Sequence, residues 1–426
     1  MLSLQPKDQT TFLINIYGPS QADIAVLVND ILVHYQAITN DITQVVTYKY
    51  SNLSMLISIP KAIDPRKLRT DLCKILEKSE NQVTFEIVDK EDYEKWVVGQ
   101  RKEQYMITLL GRQITTEHIA SLVSVLSKQG LAVGEINCLT KTPIILDNSS
   151  DQMCKKNRAC VEFSVKGNLR SITQLRSIFI ELSHRFNVDI TIQEDSIFRK
   201  NRRMICFDMD STLIEAEVID ELAVEAGVGD RVKAITQRAM EGELDFDQSF
   251  TERMGLLAGL DEKVLSRVAK RLRFTEGAER LFEILKHLGY KTAILSGGFD
   301  YFAHILQKKL NIDYVFANHL QIDNGKVTGK VVSDIINGER KANLLRQLAE
   351  KENISLEQVV AVGDGANDLP MLGIAGLGVA FRAKPLVKAS AKQSISELGL
   401  DAILYLMGLS DGDVDSLGLP KKLEKT

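Results

Sequence analysis

The chain is short of cysteine, of positive charge and of long apolar runs, and each shortage excludes a class of protein. Five cysteines (Cys73, Cys138, Cys154, Cys160, Cys206) are scattered through 426 residues. They show neither the spacing of a metal site nor the framework of a disulfide-stapled domain. Cys206 falls in an apolar run and is expected to serve packing. A formal net charge of −4 argues against a nucleic-acid binder, which normally carries a basic face. No apolar run reaches the roughly 18 residues of a membrane span, so no membrane partner is expected. The first residues, Met1-Leu-Ser-Leu-Gln-Pro-Lys-Asp, lack the basic-then-apolar order of a secretory leader, and a reducing, cytoplasmic setting is expected. What is present is ordinary for a globular protein: 44% apolar and 26% charged residues, with length enough for two to four domains.

The first half contains two similar units. Thr11–Tyr17 alternates as a strand and Gly18-Pro19-Ser20 turns the chain. Ile24, Leu27, Val28, Ile31 and Leu32 then recur at helical spacing. Extended segments around Thr43–Tyr50 and Leu53–Ile59 follow. Asp64-Pro65 starts a second helix, and Val83–Val88 closes the unit as a strand. The order is βαββαβ. It repeats from Tyr105–Leu110 to Val188–Gln193, with an Asn-, Ser- and Lys-rich insertion at Thr142–Asn157. Two such units in tandem predict ferredoxin-like sandwiches.

The second half alternates strands with helices, the pattern of a doubly wound parallel sheet. Met204-Ile205-Cys206-Phe207 reads as a buried strand running into Asp208-Met209-Asp210-Ser211-Thr212. Taken alone, the acidic pair fits two readings equally, a helix-capping turn or a divalent-cation site at the strand's carboxyl end. No strand is evident between Ile214 and Phe274, where apolar residues recur at helical spacing; this predicts a helical cap over the sheet. Lys291–Leu295 is a strand ending in Ser296-Gly297-Gly298, where glycines let backbone amides approach an anion. Asp323-Asn324-Gly325 predicts a hairpin flap, and His319 beside it is expected to be structural. Lys341 starts a helix. Val359–Val362 is a strand leading to Gly363-Asp364-Gly365-Ala366-Asn367-Asp368, and Ile395–Met407 reads as a closing helix. The chain thus divides into 1–98, 99–197 and 198–410, with the cap at about 214–274 and a frayed charged tail at 411–426.

Four of these stretches, Asp208–Thr212, Ser296-Gly297, Lys341 and Gly363–Asp368, resemble in order the signatures of the haloacid-dehalogenase superfamily of phosphohydrolases. The resemblance implies a Rossmann-like (HAD-like) α/β fold, with Mg²⁺ held by Asp208, Asp210 (through its carbonyl) and Asp364. It further implies Asp208 as nucleophile, Asp210 as general acid and base, and Ser296, Gly297 and Lys341 as a phosphate cradle. Asn367 would orient substrate, and Asp368 would cap its helix or hold a metal-bound water. Glu217, seven residues past Asp210, and Arg253, in Phe246-Asp-Gln-Ser-Phe-Thr-Glu-Arg253, are similar to the branch that acts on O-phosphoserine. There a glutamate meets the substrate's ammonium and an arginine its carboxylate, with Met240 and Phe246 on the apolar side. A phosphatase or phosphotransferase for another small phosphomonoester is the alternative. The tandem units resemble ACT regulatory domains in topology and position, which implies an amino-acid effector and a homodimer. Gly18 matches the usual glycine after the first strand; Asp23 lies five residues on, and Gly111 has no following aspartate.

Overall fold

The computed structural model describes residues 9–21, 24–77, 79–99, 104–141, 157–169, 171–332 and 334–419, without the side chain of Met240. The insertion at 142–156 and Asp23, both singled out in the sequence, lie outside the described residues. The chain forms two compact units, 1–102 and 103–426.

In the first unit, β1 (Gln9–Pro19) alternates strictly. Phe12, Ile14 and Ile16 point to one face, and opposite them on β3 (Tyr50–Pro60) stand Ile57, Met55 and Leu53. β2 (Ile38–Thr47) and β4 (Gln82–Val88) complete an antiparallel sheet of order β2-β3-β1-β4. The helices Ile24–His34 and Pro65–Glu77 cover that face with Val28, Leu32, Leu68 and Leu72. Burying each such side chain contributes about 1.5–3 kcal/mol. The charged stretch that follows is helical over Lys90–Gly99.

The second unit begins with the same topology: β5 (Gln104–Gly111), β6 (Ala132–Cys138), β7 (Ala159–Lys166) and β8 (Asp189–Glu194), ordered β6-β7-β5-β8. Here both faces of β5 are covered. Tyr105, Ile107 and Leu109 face the helices Thr116–Lys128 and Ile172–Phe186, while Leu110 and Cys160 join the hydrophobic core of the body that follows. That body is a six-stranded parallel sheet of order β11-β10-β9-β14-β15-β16. Its strands are β9 (Met204–Phe207), β10 (Lys291–Phe299), β11 (Tyr314–Asn318), β14 (Val359–Gly363), β15 (Leu377–Phe381) and β16 (Gln393–Ile395). β9 sits between β10 and β14 with all four residues buried, which is why it reads as an unbroken apolar run. Between β9 and β10 lie four cap helices, Val218–Glu225, Gly229–Met240, Phe246–Gly255 and Lys263–Arg271. The hairpin β12 (Leu320–Asp323) and β13 (Lys326–Val331) turns on Asn324 and Gly325, both at positive φ. It clasps the cap through Gly259 N–H to Val327 O at 2.8 Å and Val327 N–H to Leu260 O at 2.9 Å. No helix among the described residues is long and apolar enough to cross a membrane.

Two expectations are corrected. Ile395–Met407 is not one helix: β16 ends at Ile395, and helix resumes only as the 3₁₀ turn Leu400–Ala402 and Ile403–Leu406. The reason is Asp189, whose carboxylate accepts the Ser396 and Glu397 N–H groups at 2.7 and 2.9 Å and holds that backbone extended. Residues 411–416 are not frayed but form the helix Asp411–Ser416, capped by Ser410. Asp411 anchors it by accepting from Tyr405 Oη at 2.8 Å.

Candidate active site

The site is built at the carboxyl ends of β9, β10 and β14, the edge of an open α/β sheet where ligands bind. Asp208 follows β9, and its N–H continues the ladder to Val362 O at 2.8 Å. Asp364 follows β14 in the same way. The two strands are neighbours, so the two carboxylates converge. Asp368 joins them from the 3₁₀ turn Ala366–Asp368; its Oδ2 accepts the Gly365 N–H at 2.9 Å. Carboxylate oxygens of Asp208, Asp364 and Asp368 lie within 4.8 Å of one another.

Lys341 enters this cluster from the helix Gly338–Lys351, which Asn337 caps. Its Nζ stands 2.8 Å from Asp208 Oδ1 and 2.7 Å from Asp368 Oδ1, and the residue has no exposed surface. Burial alone would lower its pKa; the Asp208 and Asp368 carboxylates outweigh that and raise it, so it remains an ammonium. One ammonium does not balance three carboxylates. Burial, then Asp208, pushes Asp364 up to about 8 and Asp368 up to about 6. A cluster of oxygen donors carrying surplus negative charge fits a hard divalent cation. Thr212, buried, donates to Asp364 Oδ1 at 3.3 Å and orients it.

Asp210 lies one turn on. Ser211 takes a left-handed φ of 56°, which turns the backbone sharply after the acidic pair. The Asp210 Oδ1 accepts the Val218 N–H at 3.2 Å. Burial first, then Glu217 and Asp208, holds its carboxyl well above the usual range, so it keeps a proton where an ordinary aspartate has lost one. Glu217 opens the first cap helix and accepts the Ser211 hydroxyl proton at 2.7 Å. Its pKa is raised by the surrounding protein, then by Asp208 and Asp220, against the pull of Ser211 and Arg253. Arg253 projects from Phe246–Gly255, with Nε donating to Ser249 O at 3.3 Å. It forms no ion pair among the described residues, so its guanidinium keeps donors for an incoming anion. Phe246, on the same helix, stacks at 6.2 Å on Phe250.

The end of β10 bounds another side of the site. Ser296 is buried, and its Oγ accepts the Gly298 N–H at 2.9 Å. The glycines are sterically required. A Cβ on Gly297 would stand 2.9 Å from the Phe246 ring, and one on Gly298 2.4 Å from Asp210 Oδ2. Asn367 lies on the turn beside Asp368, its Oδ1 close over Gly365. The structure therefore brings Asp208, Asp364, Asp368 and Lys341 together, with Asp210 against Glu217 and Ser211. Met240 has no described side chain. His319 pairs with Asp300 at 2.6 Å, outside this cluster. A separate cavity of about 300 Å³, lined by Asp300, His304, Phe316, Asp334 and Arg340, contains none of the clustered carboxylates.

Sequence reasoning passed over two asparagines. Asn318, fully buried at the end of β11, donates from Nδ2 to Gly297 O at 2.8 Å and accepts the Ile336 N–H at 2.9 Å. Asn337 donates from Nδ2 to both oxygens of Asp247 on the cap, at 3.2 and 3.1 Å. The available signal was a polar amide closing an apolar strand, Tyr314-Val-Phe-Ala-Asn318.

Residues 205–373 match the haloacid dehalogenase-like hydrolases, and residues 10–86 match the ACT domain. The chain is 35% identical over 422 residues to a phosphoserine phosphatase of Streptomyces coelicolor, covering 98% of this chain and 96% of that one. It is 48% identical over 249 residues to a phosphoserine phosphatase of Archaeoglobus fulgidus, covering 58% of this chain and 72% of that one. Among solved structures, a HAD family hydrolase from Salmonella enterica matches with a TM-score of 0.59 at 33% identity, covering 71% of this chain and 98% of that one.

Proposed function

Because the chain belongs to the phosphoserine phosphatase family, we propose that it hydrolyses O-phosphoserine to serine and phosphate through an aspartyl-phosphate on Asp208. The observation that carries this reading is the meeting of Asp208, Asp364 and Asp368 around the buried Lys341 at the ends of two adjacent strands.

Asp208 is the nucleophile: its carboxylate oxygen bonds to phosphorus as the bond from phosphorus to the serine oxygen breaks. Asp210, kept protonated by burial and by its acidic neighbours, gives its proton to that leaving oxygen. The resulting carboxylate then takes a proton from water as the water attacks phosphorus, which frees Asp208 and releases phosphate. Lys341 and the Ser296 hydroxyl, with the Gly297 N–H, hold the phosphoryl oxygens where charge redistributes. The side chains of Asp208 and Asp364, with the Asp210 carbonyl, would hold the metal, for which we propose Mg²⁺. Bound there, Mg²⁺ would offset the carboxylate charge and polarise the phosphoryl group. Glu217 receives the substrate ammonium and Arg253 its carboxylate, the latter in the paired geometry natural to guanidinium. Phe246 lines the apolar side, and Asn367 orients the substrate from the opposite loop.

We also assign the ACT domain an amino-acid effector, and the chain a homodimeric state. The long edge strand β2, with Ile38, Ile42, Val45 and Val46 exposed, is a surface suited to self-association.

Phosphate release from phosphorylated serine, threonine and tyrosine and from a sugar phosphate, each with and without Mg²⁺, tests the reading. O-phosphoserine with Mg²⁺ should be fastest, and Asp208→Asn should abolish turnover. A faster sugar phosphate would overturn the substrate, and an active Asp208→Asn the nucleophile.

A further inference from the structure

We infer that Asn318 is a positioning residue that aims the phosphate-binding turn; the inference rests on the phosphatase reading above. β10 and β11 pair in parallel, with Leu295 opposite Phe316 and Phe299 opposite Asn318. Ser296, Gly297 and Gly298 therefore bulge opposite Ala317 alone, and none of the three has a paired residue on β11. A carbonyl buried in such a place needs a donor to replace the water it gave up on folding.

Asn318 supplies the missing partner. Its Nδ2 donates to Gly297 O at 2.8 Å. That carbonyl belongs to the peptide whose N–H, on Gly298, donates to Ser296 Oγ at 2.9 Å. The peptide is thus pinned at both ends. One lone pair of Ser296 Oγ is taken by Gly298, which leaves the hydroxyl proton to be given outward to an anion. Only one orientation of the Asn318 amide satisfies both of its partners, since its Oδ1 must accept the Ile336 N–H at 2.9 Å. Ile336 immediately precedes Asn337, which caps the helix bearing Lys341 and binds Asp247 of the cap. One buried amide therefore ties the turn carrying Ser296 to the segment leading to Lys341, and fixes the two halves of the phosphate cradle against each other.

A double-mutant cycle separates this role from simple packing. Inorganic phosphate affinity in the presence of Mg²⁺, and kcat/KM on O-phosphoserine, are measured for the full chain, Asn318→Leu, Ser296→Ala and the double variant. Asn318→Leu keeps the branched shape, with methyl groups in place of the amide oxygen and nitrogen, and removes both hydrogen bonds. It should cost roughly 10- to 100-fold alone and less than about 3-fold in the Ser296→Ala background, because the hydroxyl it aims is already gone. Equal costs in the two backgrounds, or no cost in either, would overturn the inference. Should the Leu variant fail to fold, Asn318→Asp runs the same cycle, since it keeps the shape and the acceptor for Ile336 but loses the donor. A wild-type chain that binds phosphate yet spares O-phosphoserine would sink the substrate reading while leaving the phosphate-affinity cycle to judge Asn318.

Discussion

A lysine ammonium without exposed surface loses several kcal/mol of hydration unless carboxylates replace the water. At Lys341 two carboxylates do so, Asp208 and Asp368, each within 2.8 Å. Substituting Lys341→Met leaves two buried carboxylates facing each other with no cation of the protein between them. We expect this variant to lose about 3–5 kcal/mol in chemical denaturation without metal, and to lose about 10²–10³-fold in turnover. A variant that kept both stability and activity would show that the ammonium is not what holds the cluster. The sequence placed Asp208, Asp364 and Lys341 at strand or helix ends, because a charge that interrupts an apolar run has few places to go. It could not show that Lys341 touches Asp368 as well, since that contact depends on how the Gly363–Asp368 turn folds back on itself.

At the scale of elements, the cap and the sheet meet through few polar contacts. Asn337, at the start of the Lys341 helix, grips Asp247 in the first turn of the cap helix Phe246–Gly255, and the Phe246 ring lies against Gly297. The cap closes over the very residues proposed to bind phosphate, so the latch couples closure to the cradle. Asp247→Ala removes the latch and leaves Asn337 free to cap its own helix through Oδ1. Because the lost bonds are on the order of 0.5–1.5 kcal/mol, KM for O-phosphoserine should rise roughly 3- to 10-fold, with the unfolding free energy lowered by no more than the same amount. An unchanged KM would show that closure does not depend on this contact. The helical character of the cap was legible from spacing alone; its division into four helices was not. The bulge in β10 and the extended stretch after β16 were not legible, because both are held by side chains distant in sequence, Asn318 and Asp189.

Across the whole of the second unit, the ferredoxin-like half is fastened to the catalytic sheet rather than tethered beside it. The edge strands β8 and β16 face each other, and Gln393 uses its side-chain amide to bond both the N–H and the carbonyl of Ile192. Arg112 and Arg382 converge on Glu276, and Arg158 and Arg280 on Asp401. Asp189 is a buried acid of this seam, and burial raises its pKa to about 6 despite the two N–H groups it accepts. Between the unfolded value, about 4, and the folded value the native state holds a proton that the unfolded chain has released, so stability falls as pH rises through this window. The contribution is fully present below the lower value and lost above the upper one. Integrated, the loss is at most about 3 kcal/mol, reduced by any relaxation of the seam. Asp189→Asn keeps an acceptor for Ser396 and Glu397 but cannot titrate. Its stability relative to wild type should therefore climb between pH 4 and pH 7 in parallel denaturant titrations, with no new intermediate. A wild-type minus variant difference that stays flat across that range would mean that Asp189 is ionised at no cost, and that the seam is wetter than its packing implies.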